Sequence, residues 1–175
     1  MRKISTISLA VFLISVIHYA HAADDRSAAK NHEFKEVKIN YRTGDACSYQ
    51  YSPVDFCDER HISAIRDALE KKRPNFNRHY VLLPISERNW YRERSLVAID
   101  VETGVAYPFP FDSYFGYLDA KGNVRGYGRL SYSLDSNRVC VSGSILAYKE
   151  TDSGKLCWKF DGEKFVGHRT PYTDE

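Results

Sequence analysis

The chain has 175 residues, with 25 lysines or arginines against 23 aspartates or glutamates, and a formal net charge of +2. This balance argues against a dedicated binder of nucleic acid or of anionic membranes, because such proteins carry a clear basic excess. The length suits one domain with a substantial core and is too short for two.

Residues 1–22 have the pattern of a secretory signal peptide. Arg2 and Lys3 give a positive start, residues 4–17 are mostly apolar and uncharged, and Ala20-His21-Ala22 is a small-x-small cleavage site. The apolar run is too short to anchor the chain in a bilayer, and no second run approaches membrane length. We therefore expect cleavage near Ala22, export to the periplasm and no stable membrane insertion afterwards.

The rest of the chain predicts one domain behind a short leader. Residues 23–35 are polar and charged, as is typical of a flexible segment. Residues 36–175 hold the periodic apolar patterns and all the cysteines, so we expect them to form a single globular domain.

An even number of cysteines in an exported protein indicates disulfides. The four cysteines are Cys47, Cys57, Cys140 and Cys157. Proximity in sequence favours Cys47–Cys57 and Cys140–Cys157. A crossed pattern is the alternative, because a hairpin turning at Ser153-Gly154 would place Cys157 opposite Tyr148. The spacings of ten and seventeen residues fit no common zinc motif, so we expect no metal and no cofactor.

One helix is predicted after the first pair of cysteines. Asp58 has the character of an N-cap, and Ile62, Ile65, Ala68 and Leu69 fall on one helical stripe. Basic residues follow at the carboxyl end, and Pro74 stops the helix.

The remaining periodic segments are short strands bounded by turn residues. The predicted strands are 36–41, 79–85, 95–101, 105–109, 115–118, 124–127, 130–134, 138–141, 145–149, 155–160 and 164–166. Thr103-Gly104 and Asp161-Gly162 are the clearest hairpin turns. The order predicts an α+β fold, mainly an antiparallel β meander that forms a curved sheet or open barrel, with one amino-terminal helix and disulfide bracing.

An aromatic run over residues 107–117 is the strongest local feature. It holds six aromatic residues and two prolines, and the prolines disfavour a central strand. Rigid rings on a stiff loop suit a protein-contact surface, for which the candidates are Phe109, Phe111, Tyr114 and Phe115. The alternative is a hydrophobic loop folded onto the core.

A charged connection over residues 87–94 is the second candidate surface. Arg88, Trp90, Tyr91 and Arg92 could grip an acidic partner through paired hydrogen bonds and ring stacking. The alternative is a solvated hairpin loop whose charges neutralise one another.

Catalytic patterns are weak in this sequence. A His79–Asp100 pair with Ser142 or Ser144 would be needed for acyl transfer, but no G-x-S-x-G elbow occurs. No H-E-x-x-H metallopeptidase motif is present, and an even cysteine count argues against a free thiol nucleophile. We therefore expect no enzyme, and a small hydrolase that uses His79 and Asp100 ranks last.

Four short motifs link residues 76–166 to a loose group of proteins. They are His79-Tyr80, then Ile99-Asp100 with Thr103-Gly104 and Tyr107, then Ser133 and Ser136 with Gly143, and Trp158 with Asp161-Gly162. With these motifs the chain resembles small exported β-rich proteins of Gram-negative bacteria. Proteins of this kind include inhibitors and immunity proteins that cap toxins or wall-degrading enzymes, so the resemblance implies binding to another protein.

The sequence therefore predicts a periplasmic protein-binding module. We expect an inhibitor or immunity protein that neutralises a cell-envelope-directed toxin or a lysozyme-like hydrolase. The alternative is an accessory protein of the envelope or of a secretion apparatus, which would use the same surface constitutively.

Overall fold

The computed structural model describes residues 33–39, 47–88 and 92–173, with only the backbone of Arg88. The predicted signal peptide and most of the predicted leader lie outside these ranges. The end of the predicted leader contacts the domain, because Phe34 packs against the core and the Lys35 N–H donates to the Gly104 carbonyl at 3.0 Å.

The predicted helix is present as α1, Glu59–Lys71. Asp58 is its N-cap, and the Asp58 carboxylate accepts the N–H of His61 at 2.8 Å. The helix buries His61, Ile65 and Ala68 and packs against the strand that follows it. The predicted stripe is confirmed at Ile65 and Ala68, whereas Ile62 and Leu69 are partly buried and His61 takes a core position that the prediction did not include.

Eleven strands are present among the described residues. They are β1 (Glu36–Val37), β2 (Tyr80–Arg88), β3 (Glu93–Asp100), β4 (Val105–Pro108), β5 (Ser113–Phe115), β6 (Tyr117–Leu118), β7 (Val124–Arg125), β8 (Arg129–Ser131), β9 (Arg138–Ala147), β10 (Glu150–Phe160) and β11 (Phe165–Gly167).

Nine of these strands form one sheet in the order β1-β4-β3-β5-β9-β10-β11, with β2 also paired to β3 and β8 to β9. All pairs are antiparallel except β1 with β4. The sheet curls into an open half-barrel, and β6 and β7 form a separate hairpin. The predicted α+β class, with a curved sheet, one helix and two disulfides, is confirmed.

The β9–β10 hairpin differs from its prediction. Residues 138–147 form one continuous strand, and the chain reverses at Tyr148-Lys149 instead of Ser153-Gly154. Gly143 and Gly154 are not strand breaks, because they face each other in register. Cys140 therefore lies opposite Cys157 and forms a disulfide with it, while Cys47 pairs with Cys57. Both disulfides favoured by sequence proximity are confirmed.

Three glycines allow the β6–β7 hairpin to cross the sheet closely. A Cβ atom on Gly143 or Gly128 would overlap the carbonyl oxygen of Phe115, and one on Gly116 would overlap that of Arg125. Only residues without a side chain fit at these crossings. The crossing holds the 117–125 hairpin against the middle of β9.

Candidate protein-binding surface

The aromatic run lies in the core, so the prediction that it forms a contact surface is wrong. All four candidate residues are buried, with exposed fractions of 5% or less: Phe109, Phe111, Tyr114 and Phe115. Phe109 stacks on Phe165 with ring centroids 3.7 Å apart, and Phe111 lies 5.4 Å from the ring of Trp158. The alternative of a hydrophobic loop folded onto the core is the arrangement observed.

Hydrogen bonds from distant side chains make this burial possible. The Tyr49 hydroxyl donates to the Pro108 carbonyl at 3.0 Å, and the Thr170 hydroxyl donates to the Pro110 carbonyl at 2.7 Å. A buried loop would otherwise leave backbone carbonyls unpaired, which is costly. Side chains of the disulfide loop and of the carboxyl-terminal segment thus donate hydrogen bonds to the backbone carbonyls of the buried proline-rich run.

Asp112 ends this run as a buried carboxylate. Its Oδ1 accepts hydrogen bonds from Ser52 at 2.5 Å and from Tyr172 at 2.7 Å, and its Oδ2 accepts the N–H of Tyr148 at 2.8 Å. Burial raises the pKa of Asp112, although the hydrogen bonds from Ser52 and Tyr172 partly offset that rise. Asp112 therefore joins three segments of the chain and is not available to a partner.

Within the charged connection, the structure describes residues 87–88 and 92–94. Trp90 and Tyr91 lie outside the described residues, and the backbone of Arg88 pairs with Glu93 at the end of β2. Arg92 is exposed, and its guanidinium carbon lies 4.6 Å from the centroid of the Tyr127 ring. Of the four residues proposed here, Arg92 is thus the one that the structure places on the surface.

Arg92 belongs to a larger cluster, which we call the arginine–tyrosine surface. Its members are Arg92, Arg94, Tyr117, Arg125, Tyr127 and Arg129. Arg92 and Arg94 both lie over the ring of Tyr127, Arg94 at 5.3 Å from the centroid. Beside them is an open groove of about 550 Å³. The groove is lined by Tyr117, Arg125, Gly126, Tyr127, Arg129 and Ser142.

Tyr114, a buried residue of the aromatic run, contacts this surface through Arg94. Arg94 of β3 lies directly opposite Tyr114 of β5 in the sheet. Burial raises the pKa of the Tyr114 hydroxyl, while a hydrogen bond with Arg94 acts in the opposite direction. Tyr114 thus contributes to the surface by holding Arg94, without being exposed itself.

The turn over residues 119–123 positions Arg125, which lines the groove. The Asp119 carboxylate accepts the backbone N–H groups of Lys121 and Asn123 at 2.9 Å and pairs with the Arg125 guanidinium at 2.7 Å. Backbone hydrogen bonds from Asn123 and then Lys121 lower the pKa of Asp119 to about 2. The carboxylate stays ionised at neutral pH and orients Arg125.

Two of the exposed large hydrophobic side chains, Tyr117 and Tyr127, belong to this surface. Among the described residues, the large hydrophobic side chains that are exposed between 117 and 134 are Tyr117, Leu118, Tyr127, Tyr132 and Leu134. Those elsewhere are Tyr51, Tyr148 and Val166. Tyrosine and arginine are the residue types enriched at the energetic centres of protein interfaces.

A polar cluster around the buried His61 links the start of α1 to the end of β2 that leads into the charged connection. His61 has no exposed surface, and its two ring nitrogens lie 2.8 Å from Asp58 and 2.9 Å from Glu87. Arg60 also contacts Glu87, at 2.6 Å. Burial opposes ionisation of Asp58 and Glu87, but the combined hydrogen bonds and charge interactions with His61 and Arg60, and with Ser95 in the case of Glu87, outweigh it and lower the pKa of both carboxyls.

The candidate catalytic residues have structural roles. The Asp100 carboxylate accepts the N–H groups of Glu102 and Thr103, which stabilises the hairpin turn before β4. The Ser144 hydroxyl lies 2.7 Å from that of Ser153, across the β9–β10 pair. The ring of His79 lies against that of Tyr80, with centroids 4.4 Å apart.

One group of metal-ligand type is found within the described ranges. It consists of Cys47, Asp55 and Cys57. Both cysteines are joined in a disulfide, and the Asp55 carboxylate accepts the Cys57 N–H at 2.9 Å. The disulfide and this hydrogen bond therefore explain why the three residues lie close together in the loop before α1.

Sequence reasoning placed Arg92 and Arg94 in the charged connection over residues 87–94 and missed the other four members of the surface: Tyr117, Arg125, Tyr127 and Arg129. One local signal could have found Tyr127, because a tyrosine between Gly126 and Gly128 has no neighbouring side chains to cover it. The arginines carry no such signal, since their proximity depends on the crossing of the hairpin over β9.

Comparison with protein families, curated proteins and solved structures found no match for this chain. Within the part of the chain that the structure describes, no helix has the length and apolar character needed to cross a membrane. The two disulfides are consistent with folding in an oxidising compartment.

Proposed function

We propose that this protein is an exported binding module that uses the arginine–tyrosine surface to hold another protein. The observation that carries the proposal is the position of the Arg92 and Arg94 guanidinium groups over the exposed ring of Tyr127. Stacked guanidinium groups keep their donors in a fixed plane and lose little side-chain entropy on binding. Such groups suit bidentate recognition of carboxylates on a partner.

The chemistry of the surface favours a partner with an acidic recess. Glycoside hydrolases carry a pair of catalytic carboxylates in a cleft, and their substrate is a chain of sugar rings. Arginines could pair with those carboxylates, and an exposed tyrosine ring could occupy a sugar subsite. We therefore propose a lysozyme-like hydrolase or another cell-envelope-directed toxin as the target, with the protein acting as its inhibitor or immunity protein.

The predicted signal peptide and the disulfides support a periplasmic location for this activity. Fractionation of cells that express the full chain, with sequencing of the mature amino terminus, tests this part. Periplasmic protein that begins at Ala23 is the expected result. Full-length protein in the cytoplasm would overturn both the location and the class of target.

The binding proposal is tested by capture and inhibition. Tagged mature protein is incubated with envelope extract and culture supernatant, and the bound proteins are identified and assayed for cell-wall hydrolysis. We expect a stoichiometric hydrolase or toxin whose activity falls when the protein is added. Capture of an assembly component whose activity is unaffected would favour the accessory role instead.

Two tyrosine variants link the capture to this surface. Tyr127→Ala removes the ring under both arginines and should weaken binding at least tenfold, as expected for the centre of an interface. Tyr51→Ala is the matched control, because Tyr51 is 73% exposed and lies outside the surface. Equal binding by both folded variants would show that the assigned surface is wrong.

A further inference from the structure

The two ends of the curled sheet approach each other without strand pairing. β1 and β4 lie at one end of the strand order and β11 at the other, and no strand pair among the described residues joins them. Side chains make the contact instead. Phe109, which follows β4, stacks on Phe165 of β11, and Lys38 Nζ lies 3.8 Å from a carboxylate oxygen of Glu163.

This unpaired junction, which we call the seam, contains a cavity of about 210 Å³. Tyr107 and Pro108 of β4 line one side, and β11 lines the other. Tyr49 and Tyr172 also line it. The volume lies below the range of about 300–1,000 Å³ typical of drug-sized ligands, so the cavity suits a molecule with a single ring.

The aromatic walls of the cavity are fixed before any ligand arrives. Tyr49 and Tyr172 stack with centroids 4.9 Å apart and planes 12° apart. Tyr49 is held by its hydrogen bond to Pro108, and Tyr172 by its hydrogen bond to Asp112. Ring walls that are already ordered lower the entropic cost of binding a planar group.

The charged residues that line the cavity are mainly positive. They are Lys38, Lys164 and Arg169, with Glu163 as the one acidic residue among those that line it. Glu163 is the contact of Lys38, and the basic side chains of the set outnumber this single acidic one. Ordered tyrosines beside lysines are complementary to a ligand with a ring and a negative charge.

We propose that the seam cavity binds a small carboxylate that carries one planar ring. The carboxylate pairs with Lys164 at the rim, and the ring lies against Tyr107 and the Tyr49–Tyr172 pair. This site lies away from the arginine–tyrosine surface, because none of its lining residues belongs to that surface. It is a second activity of the fold, independent of partner binding.

Three probes separate the contributions of ring and charge. Benzoate has both, benzamide has the ring without the charge, and acetate has the charge without the ring. Each is titrated into the ¹⁵N-labelled mature protein, and amide shifts are followed by NMR. We expect benzoate to shift residues 164–168 and to bind at least fivefold more tightly than either other probe. Equal affinity of benzoate and acetate, or shifts concentrated elsewhere, would overturn the proposal.

A lysine pair provides the matched variants. Lys164→Met removes a rim charge and should lower benzoate affinity to that of benzamide. Lys149→Met is the control, because Lys149 also lies near a tyrosine ring, 5.0 Å from the centroid of Tyr148, but does not line the cavity. Unchanged benzoate binding in Lys164→Met would refute the rim assignment. The titration uses the isolated protein, so its failure leaves the partner-binding proposal unaffected, and the converse also holds.

Discussion

The hydroxyl of Tyr172 donates a hydrogen bond to the buried carboxylate of Asp112 at 2.7 Å, across 60 residues of sequence. Tyr172 also stacks on Tyr49, whose hydroxyl binds the Pro108 carbonyl. The carboxyl-terminal segment, the first disulfide loop and the proline-rich run are therefore held by one buried network. Burial raises the pKa of both tyrosines, so they remain protonated donors throughout the physiological range.

Tyr172→Phe should lower the free energy of unfolding by about 1.5–3 kcal/mol, because it removes a hydrogen bond to a buried carboxylate but keeps the stacked ring. Urea unfolding followed by tryptophan fluorescence measures this change. Tyr51→Phe is the control, since Tyr51 is largely exposed and should cost less than about 0.5 kcal/mol. If both substitutions lowered the free energy of unfolding by the same amount, the proposed contribution of the Asp112 network to stability would be wrong.

Stability should fall in acid through Glu87. Its pKa is lowered in the folded protein, so its stabilising contribution is complete above the unfolded value of about 4 and is lost as the pH falls below it. Glu87→Gln should therefore reduce the loss of stability between about pH 5 and pH 3. Urea unfolding at several pH values measures the slope.

Glu70→Gln is the control for this experiment, because Glu70 is exposed on α1. Asp112 contributes with the opposite sign: its pKa is raised, so its contribution is present below the unfolded pKa and is lost as pH rises through the folded pKa. Subtracting the curve of Glu87→Gln from that of the wild type isolates the contribution of Glu87 together with its repulsion of Asp112, which is one cause of the raised pKa of Asp112. A difference curve that is flat between pH 3 and pH 5 would rule out the assigned role of Glu87.

Replacing both Cys140 and Cys157 by alanine should lower the free energy of unfolding by about 2–4 kcal/mol, as expected for a bridge that closes a loop of this length. The strands should stay paired, because β9 and β10 share ten registered positions. Denaturant unfolding and circular dichroism test both points. Loss of the β signal in the double variant would show that the disulfide, and not the register, holds the hairpin together.

Gly143→Ala should cost at least about 3 kcal/mol, because the added Cβ overlaps the Phe115 carbonyl and the backbone has a φ of 152°. Gly122→Ala separates the cost of the steric overlap from the cost of the positive φ. Gly122 also has a positive φ, 78°, but a Cβ there meets nothing within 4 Å, so we expect about 1–2 kcal/mol. Thermal unfolding of both variants measures the two losses of stability. Similar losses would mean that the crossing at Gly143 tolerates a side chain.

Local chemistry in the sequence was sufficient for much of the fold. Asp58, the stripe from Ile62 to Leu69 and Pro74 define α1, because capping and helical periodicity act over a few residues. Gly104 has the positive φ, 72°, that its hairpin turn requires. The short sequence separations of the cysteines also favoured the pairing that is observed.

The candidate surface depended on contacts that no local pattern contains. The aromatic run is buried because Tyr49 and Thr170 satisfy its carbonyls from 59 and 60 residues away. Arg92 and Tyr127 meet because β3, which follows Arg92, pairs with β5, and Gly128, which follows Tyr127, lies against Phe115 of β5.

The sequence by itself therefore determined the helix and the turns at Gly104 and Gly162, and it favoured the observed disulfide pairing, since capping, positive φ and loop closure depend on neighbouring residues. Only the tertiary structure decided which rings face solvent and where the two ends of the sheet leave a cavity. Burial of a side chain is a property of everything packed around it, and those neighbours are distant in the chain.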